Sequence, residues 1–138
     1  MTPARAHPRS SCPHHRRRDE HGSTSIQMVL LMPVLFAVMF LGMQAALHYH
    51  ARTLAIAAAQ EGARAAGAQD GTRSDGVTTA TGYLAATAGD SLTVTGVTGS
   101  RTATTATITV RGTALSVLPG WAPTITQSAS VPVERTTR

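Results

Sequence analysis

The chain has no lysine and no asparagine, and Cys12 is its only cysteine. A lone cysteine excludes an intramolecular disulfide, and no residue after Cys12 can supply thiol chemistry. Because lysine is absent, all 12 basic residues are arginines, a bias typical of a GC-rich genome. Because of that bias, the positions of the arginines carry more information than their number.

Patterns that would indicate catalysis or metal binding are also missing. The sequence has no phosphate-binding glycine loop, no zinc-ligand spacing and no nucleophile elbow. Acid–base catalysis requires positioned groups, whereas the carboxylates after His50 are scattered and no histidine follows it. His48 and His50 are two positions apart, so on a helix they point to different faces. We therefore expect a protein that is not an enzyme and that has no cofactor or metal.

The most informative feature that is present is an apolar run from Ile26 to Leu47, with the sequence IQMVLLMPVLFAVMFLGMQAAL. As a helix it is roughly 33 Å long, enough to cross a hydrocarbon core of about 30 Å. A buried helix of a soluble protein would show a polar face, and a secretory signal would be shorter. Gln27 and Gln44 lie near the two ends, where their amides can reach the interfaces. The run predicts a retained membrane anchor.

The arginines around this run predict its orientation. Arg16, Arg17 and Arg18 precede it with two further arginines, and only Arg52 lies close behind it. Since positively charged flanks stay in the cytoplasm, we expect a single-pass cell-membrane protein with a cytoplasmic N-terminus and an extracytoplasmic C-terminus. The basic cluster lies in a Pro-, His- and Ser-rich tail that cannot bury a core. A nucleic-acid-binding protein would carry such a cluster on a folded face, so we expect no nucleic-acid partner.

The helix is predicted to continue beyond the membrane, because residues 47–68 are rich in alanine and contain no proline. Within them Ala58, Gly62 and Ala66 are four positions apart and form a stripe of small residues. Such a stripe permits close approach of another helix. Two alternatives are open for its partner: another protein chain, which includes a homo-oligomer, or the small domain of the same chain.

A second, shorter helix is predicted in the C-terminal half. Apolar residues recur at helical spacing over residues 77–88. Ser74 or Asp75 is expected to cap its N-terminus, and Gly89 is expected to stop it.

Beyond this helix the spacing of the apolar residues changes from the helical period of 3.6 to a period of two. This alternation predicts about three antiparallel strands rich in threonine and valine. A turn at Gly99–Ser100 is expected between the first two strands, and Pro132 places the last strand at a sheet edge. The sequence LSVLPGW at residues 115–121 is an apolar connection with a turn at Pro119–Gly120.

The predicted fold is therefore α+β, with a long N-terminal transmembrane helix that extends into a small extracytoplasmic domain. Three parts are expected along the chain. They are a basic tail or leader (1–22), the transmembrane helix with its alanine-rich extension (23–70), and a small α+β head (71–138).

Two segments resemble TadE-like proteins, the pseudopilin-like components of tight-adherence (Tad) pilus systems. Residues 22–33, GSTSIQMVLLMP, are similar to the family's N-terminal signature, and residues 57–66, AAAQEGARAA, are similar to its alanine-rich EGAR segment. The resemblance implies a membrane-inserted component of a type IV-like pilus or of its assembly or secretion apparatus, with other Tad proteins as partners. The alternative hypothesis is a single-pass cell-envelope scaffold or binding protein without any connection to pili.

The resemblance also implies a processing site. Prepilin-type signals are cut on the cytoplasmic side after a glycine, which places the cut between Gly22 and Ser23 and makes prepilin peptidase a further partner. Gln27 then stands five residues after the cut, where the family pattern has a glutamate. That carboxylate is thought to neutralise a neighbour's new amino terminus, and a neutral amide supplies no charge. The expected product is either a processed filament component or an uncut, permanently membrane-bound helper.

Overall fold

The computed structural model describes residues 21–135 of the chain, with side chains from Ile26 onward. The elements in chain order are α1 (His21–Gly67), α2 (Arg73–Thr87), a short 3-10 helix (Gly89–Ser91), β1 (Leu92–Arg101), β2 (Thr105–Ala114) and β3 (Thr124–Pro132). The predicted α+β fold is confirmed: a long apolar helix, a short helix and three antiparallel strands. By their contacts the described residues divide into two units, one up to Leu35 and one from Phe36 onward.

α1 is 47 residues long and contains the whole apolar run, with Pro33 inside the helix. From Ile26 onward it is long and apolar enough to cross a membrane. The large apolar side chains between Ile26 and Met43 are exposed, which suits a helix whose surroundings are lipid. The helix therefore fits a membrane anchor.

In the unit formed by residues 36–138, the alanine-rich part of α1 and the apolar side of α2 pack against one face of the sheet. Buried and less buried side chains alternate along β2, as expected when only one face of a strand contacts helices. Ile108 and Val110 of β2 are the largest fully buried side chains. The other face is rich in hydroxyl groups, and Thr107 Oγ1 lies 2.7 Å from Ser130 Oγ across β2 and β3.

The strands lie in the order β1-β2-β3 and both pairs are antiparallel, so β3 is an edge strand as Pro132 predicted. The predicted turn at Gly99–Ser100 is wrong, because both residues lie inside β1 and pair with β2. The chain reverses instead at residues 102–104, where the Thr102 N–H donates to the Thr105 carbonyl at 2.8 Å.

Gly99 has a packing role rather than a turn role. A Cβ atom at this position would lie 2.7 Å from Cδ1 of the buried Ile108. The glycine therefore makes room for a core side chain on the neighbouring strand, which a search for turn residues does not reveal.

The N-terminal cap of α2 also differs from the prediction. Thr72 is the cap, and its hydroxyl accepts a hydrogen bond from the Asp75 N–H at 3.1 Å. Asp75 stands at the third helical position and accepts from the Thr72 N–H at 2.8 Å, which completes a capping box. Two hydrogen bonds to the Asp75 carboxylate lower its pKa below the usual value. The one donated by the Thr72 hydroxyl has the larger effect, and the one donated by the Thr72 N–H has the smaller effect. The predicted stop is confirmed, since Gly89 follows the C-cap with a φ of 47°.

Candidate functional site

Gln44 is the only buried polar residue in the described core, and it lies within the apolar run with 2% of its surface exposed. Its Oε1 atom accepts hydrogen bonds from the Val117 N–H at 2.9 Å and from the Ser116 hydroxyl at 3.2 Å. Its Nε2 atom donates to the Leu115 carbonyl at 3.5 Å. In a helix that fits a membrane anchor, an amide within the apolar run needs internal partners, because lipid offers none. The connection between β2 and β3 supplies them.

That connection is an ordered loop. At its base the Ala114 N–H donates to the Pro123 carbonyl at 3.0 Å, and at its tip the Trp121 N–H donates to the Leu118 carbonyl at 3.3 Å. Gly120 has a φ of 81°, which the third position of a type II turn requires. The predicted turn at Pro119–Gly120 is therefore confirmed. The exposed large side chains of the loop are all apolar: Leu115, Val117, Leu118 and Trp121.

Beyond Gln44 on α1, His48 and Arg52 face the beginning of β3. Together with residues 124–127 they line a shallow pocket of about 200 Å³. Nδ1 of His48 is buried and has no hydrogen-bond partner among the described residues, whereas Tyr49 is 68% exposed. Residues 21–135 contain no cluster of three or more potential metal ligands.

The small-residue stripe lies inside the 36–138 unit. Ala58, Gly62 and Ala66 are all buried. A Cβ atom at Gly62 would lie 2.5 Å from the Gly76 carbonyl oxygen and 2.8 Å from Ala80 Cβ, both on α2. The sequence left open whether the stripe packs against another chain or against the small domain of the same chain. In the structure it packs against α2, an element of the same chain.

The candidate processing residues lie at the start of α1, where Gly22 and Ser23 belong to its first turn. The side chain of Gln27 is exposed. Arg16, Arg17 and Arg18 lie outside the described residues, so the predicted orientation stays a prediction, as does the cut after Gly22.

Comparison with known proteins relates the apolar helix to one family. A family model described as TadE-like protein matches residues 22–64. The segment is similar to TadE-like proteins. The match confirms the resemblance seen in the sequence and suggests a component associated with Tad pili. No curated protein and no solved structure matches the chain.

The structure explains the EGAR part of the TadE-like segment. Gly62 and Ala63 are buried, Gly62 directly at the contact with α2. Glu61 and Arg64 lie on the exposed side, where Arg64 Nη1 is 2.8 Å from Glu61 Oε2. An exposed ion pair of this kind contributes little to stability, so the small residues carry the structural role of the motif.

Sequence reasoning missed the contact between Gln44 and the loop. Gln44 was assigned to a membrane interface, and the apolar character of LSVLPGW was noted separately. Two features of the sequence could have indicated this contact. One is a polar residue within the apolar run, and the other is the apolar segment LSVLPGW, for which no contact was predicted. Only the tertiary fold brings them together, because the hydrogen-bonded residues are 71 to 73 positions apart.

Replacing Gly62 with alanine should destabilise the head, because the added methyl group forces α1 and α2 apart at about 1–3 kcal/mol. Hydrogen exchange of the α2 amides in the full-length, membrane-purified protein measures the effect. Gly82→Ala is the matched control: Gly82 lies in α2 with no atom within 4 Å of an added Cβ. There alanine should stabilise the helix by about 1 kcal/mol. Equal protection of α2 in both variants would contradict the close crossing.

Gln44→Leu should release the loop, since the Val117 N–H and the Leu115 carbonyl lose their partner. A buried group left unsatisfied costs about 1–3 kcal/mol. The expected result is faster hydrogen exchange of the Val117 amide. Gln27→Leu makes the same change at an exposed glutamine of the same run and should leave that amide unaffected. Unchanged exchange in Gln44→Leu would show that the loop is held by other contacts.

Proposed function

We propose that the protein is a membrane-anchored component of a Tad pilus, or of the assembly and secretion apparatus of such a pilus. It acts by helix packing and by contacts of its head, without catalysing a reaction. The observation that carries the proposal is the TadE-like match over residues 22–64, which coincides with a helix that is apolar enough to span a membrane. In this proposal the N-terminus is cytoplasmic and the head is extracytoplasmic.

Two kinds of surface are available for such contacts. Within the apolar run, large side chains such as Phe36, Phe40 and Leu41 are exposed and free to pack against another transmembrane helix. The small-residue stripe of α1 is already covered by the chain's own head, so it is not the surface that recruits partners. The remaining contacts belong to the outer surface of the head.

Deleting the gene should abolish or strongly reduce Tad pili in the native host, and the intact chain should restore them. The Leu35→Arg variant should fail to restore them, because a charge near the centre of the span costs about 2.5–3.5 kcal/mol of insertion free energy. Piliation is measured by electron microscopy, and the membrane yield of each variant by immunoblot. Normal piliation in the deletion strain would refute the pilus role and favour a cell-envelope scaffold unrelated to pili.

We further propose that prepilin peptidase cuts between Gly22 and Ser23. The cut would remove Arg16, Arg17 and Arg18, whose charges each cost a few kcal/mol to drag through hydrocarbon on even the most lenient scale. The mature helix could then leave the bilayer for a filament.

The intact mass of the membrane-purified protein tests this processing. We expect a mass lower by that of residues 1–22, and the full-length mass for Gly22→Leu, which removes the glycine before the cut. A full-length mass for the unaltered chain, in cells that contain the peptidase, would make the protein a stationary component. On the filament hypothesis Gln27→Glu preserves or improves assembly.

A further inference from the structure

The loop of residues 115–121, which we term the interfacial loop, lies beside the apolar part of α1. Gln44, to which the loop is hydrogen-bonded, stands three residues before Leu47, the end of the apolar run. At about 1.5 Å per residue this is only ~4.5 Å along the helix axis. Residues 36–43, immediately before Gln44 in the same unit, expose phenyl, thioether and branched aliphatic groups. The loop is therefore level with the outermost part of the membrane-spanning surface.

The chemistry of the loop suits that position. Leu118 is 41% exposed and Trp121 is 51% exposed, and Leu115 and Val117 are also partly uncovered. No residue between Arg111 and Glu134 carries a charge. Adjacent apolar side chains on a surface mark a contact site more strongly than isolated ones do. Insertion of the loop into lipid would bury this apolar surface without burying a charge.

Most backbone N–H groups of the loop have hydrogen-bond partners within the protein, so the loop depends little on water. The Leu115 N–H donates to the Ser91 carbonyl at 3.2 Å, and the Leu118 N–H donates to the Ser116 hydroxyl at 3.1 Å. The Val117 N–H is bound to Gln44 and the Trp121 N–H closes the turn, while Pro119 has no N–H. Four of the six backbone N–H groups of the loop thus have partners, which suits the interfacial zone of a membrane rather than its hydrocarbon core.

We propose that the interfacial loop is a second membrane contact, in which Leu118 and Trp121 insert into the interfacial zone of the leaflet adjacent to the head. The occupant of this surface is the bilayer itself, since the loop continues the lipid-facing surface of α1. Tryptophan is enriched at that depth because its ring is apolar and its N–H can remain hydrated. The head is thereby held against the membrane at two points, α1 and the loop.

Trp121 is the only tryptophan of the chain, so its fluorescence reports on the loop directly. The full-length protein is reconstituted at high lipid excess in phosphatidylcholine vesicles, with and without lipids brominated at acyl carbons near the headgroup. We expect blue-shifted emission, strong quenching by the brominated lipid and weak quenching by aqueous iodide. The measurement requires only that α1 is inserted, so its outcome is independent of the pilus role.

Two controls use the hairpin at residues 102–104, which joins β1 to β2 at the opposite end of the sheet. In Trp121→Phe combined with Ala103→Trp, the same probe is moved to an exposed residue of that hairpin, where iodide should quench it and brominated lipid should not. Leu118→Asp should reduce lipid quenching of Trp121, whereas Ala103→Asp should leave it unchanged.

Quenching of Trp121 by iodide alone would overturn the proposal, because the loop would then face water. Protection from both quenchers would overturn it as well, because another protein surface, such as a second copy of the chain, would then cover the loop. Equal lipid quenching of Trp121 and of a tryptophan at position 103 would show that the whole head lies on the bilayer, without a specific role for the loop.

Discussion

The head depends on the close contact between the small side chains of α1 and the elements that cover them. Ala51, Ala58 and Ala66 have no exposed surface, and the largest fully buried side chains of the head are only Ile108 and Val110. A core built from such small groups gains stability only if the backbones approach closely, because dispersion attraction falls off within a fraction of an ångström. Gly62 and Gly76 permit this approach where α1 and α2 cross. The fold of the head is therefore inseparable from α1.

A single helix thus serves two different surroundings. Between Met28 and Met43 most of its side chains are large, apolar and exposed, and from Ala51 its inward side chains are small and buried. The change suits a membrane anchor that continues into a folded head, because lipid adapts to any shape, whereas α2 and the sheet pack against a fixed surface. Gln44 and the interfacial loop lie near this boundary, where the chain folds back on its own membrane helix.

The sequence was sufficient for the features that depend on local composition and period. The apolar run, the second helix and the change to a period of two each predicted an element that the structure contains. The details that failed depend on the tertiary fold or on a neighbouring residue. Gly99 was read as a turn residue because its neighbour Ile108 was unknown, and Asp75 was taken as a cap although it completes a box with Thr72. In the same way, nothing local to Gln44 indicates that its partners lie in the loop after β2.

The internal pairing of Gln44 has a consequence for recognition within the membrane. Polar side chains often join transmembrane helices through hydrogen bonds, but the amide of Gln44 is already occupied by the loop. A neighbouring helix that approaches residues 36–44 meets methyl, thioether and phenyl groups and no free amide, hydroxyl or charge. Along this stretch, selectivity for a neighbouring helix therefore depends on the shape complementarity of the two packed surfaces and not on polar contacts.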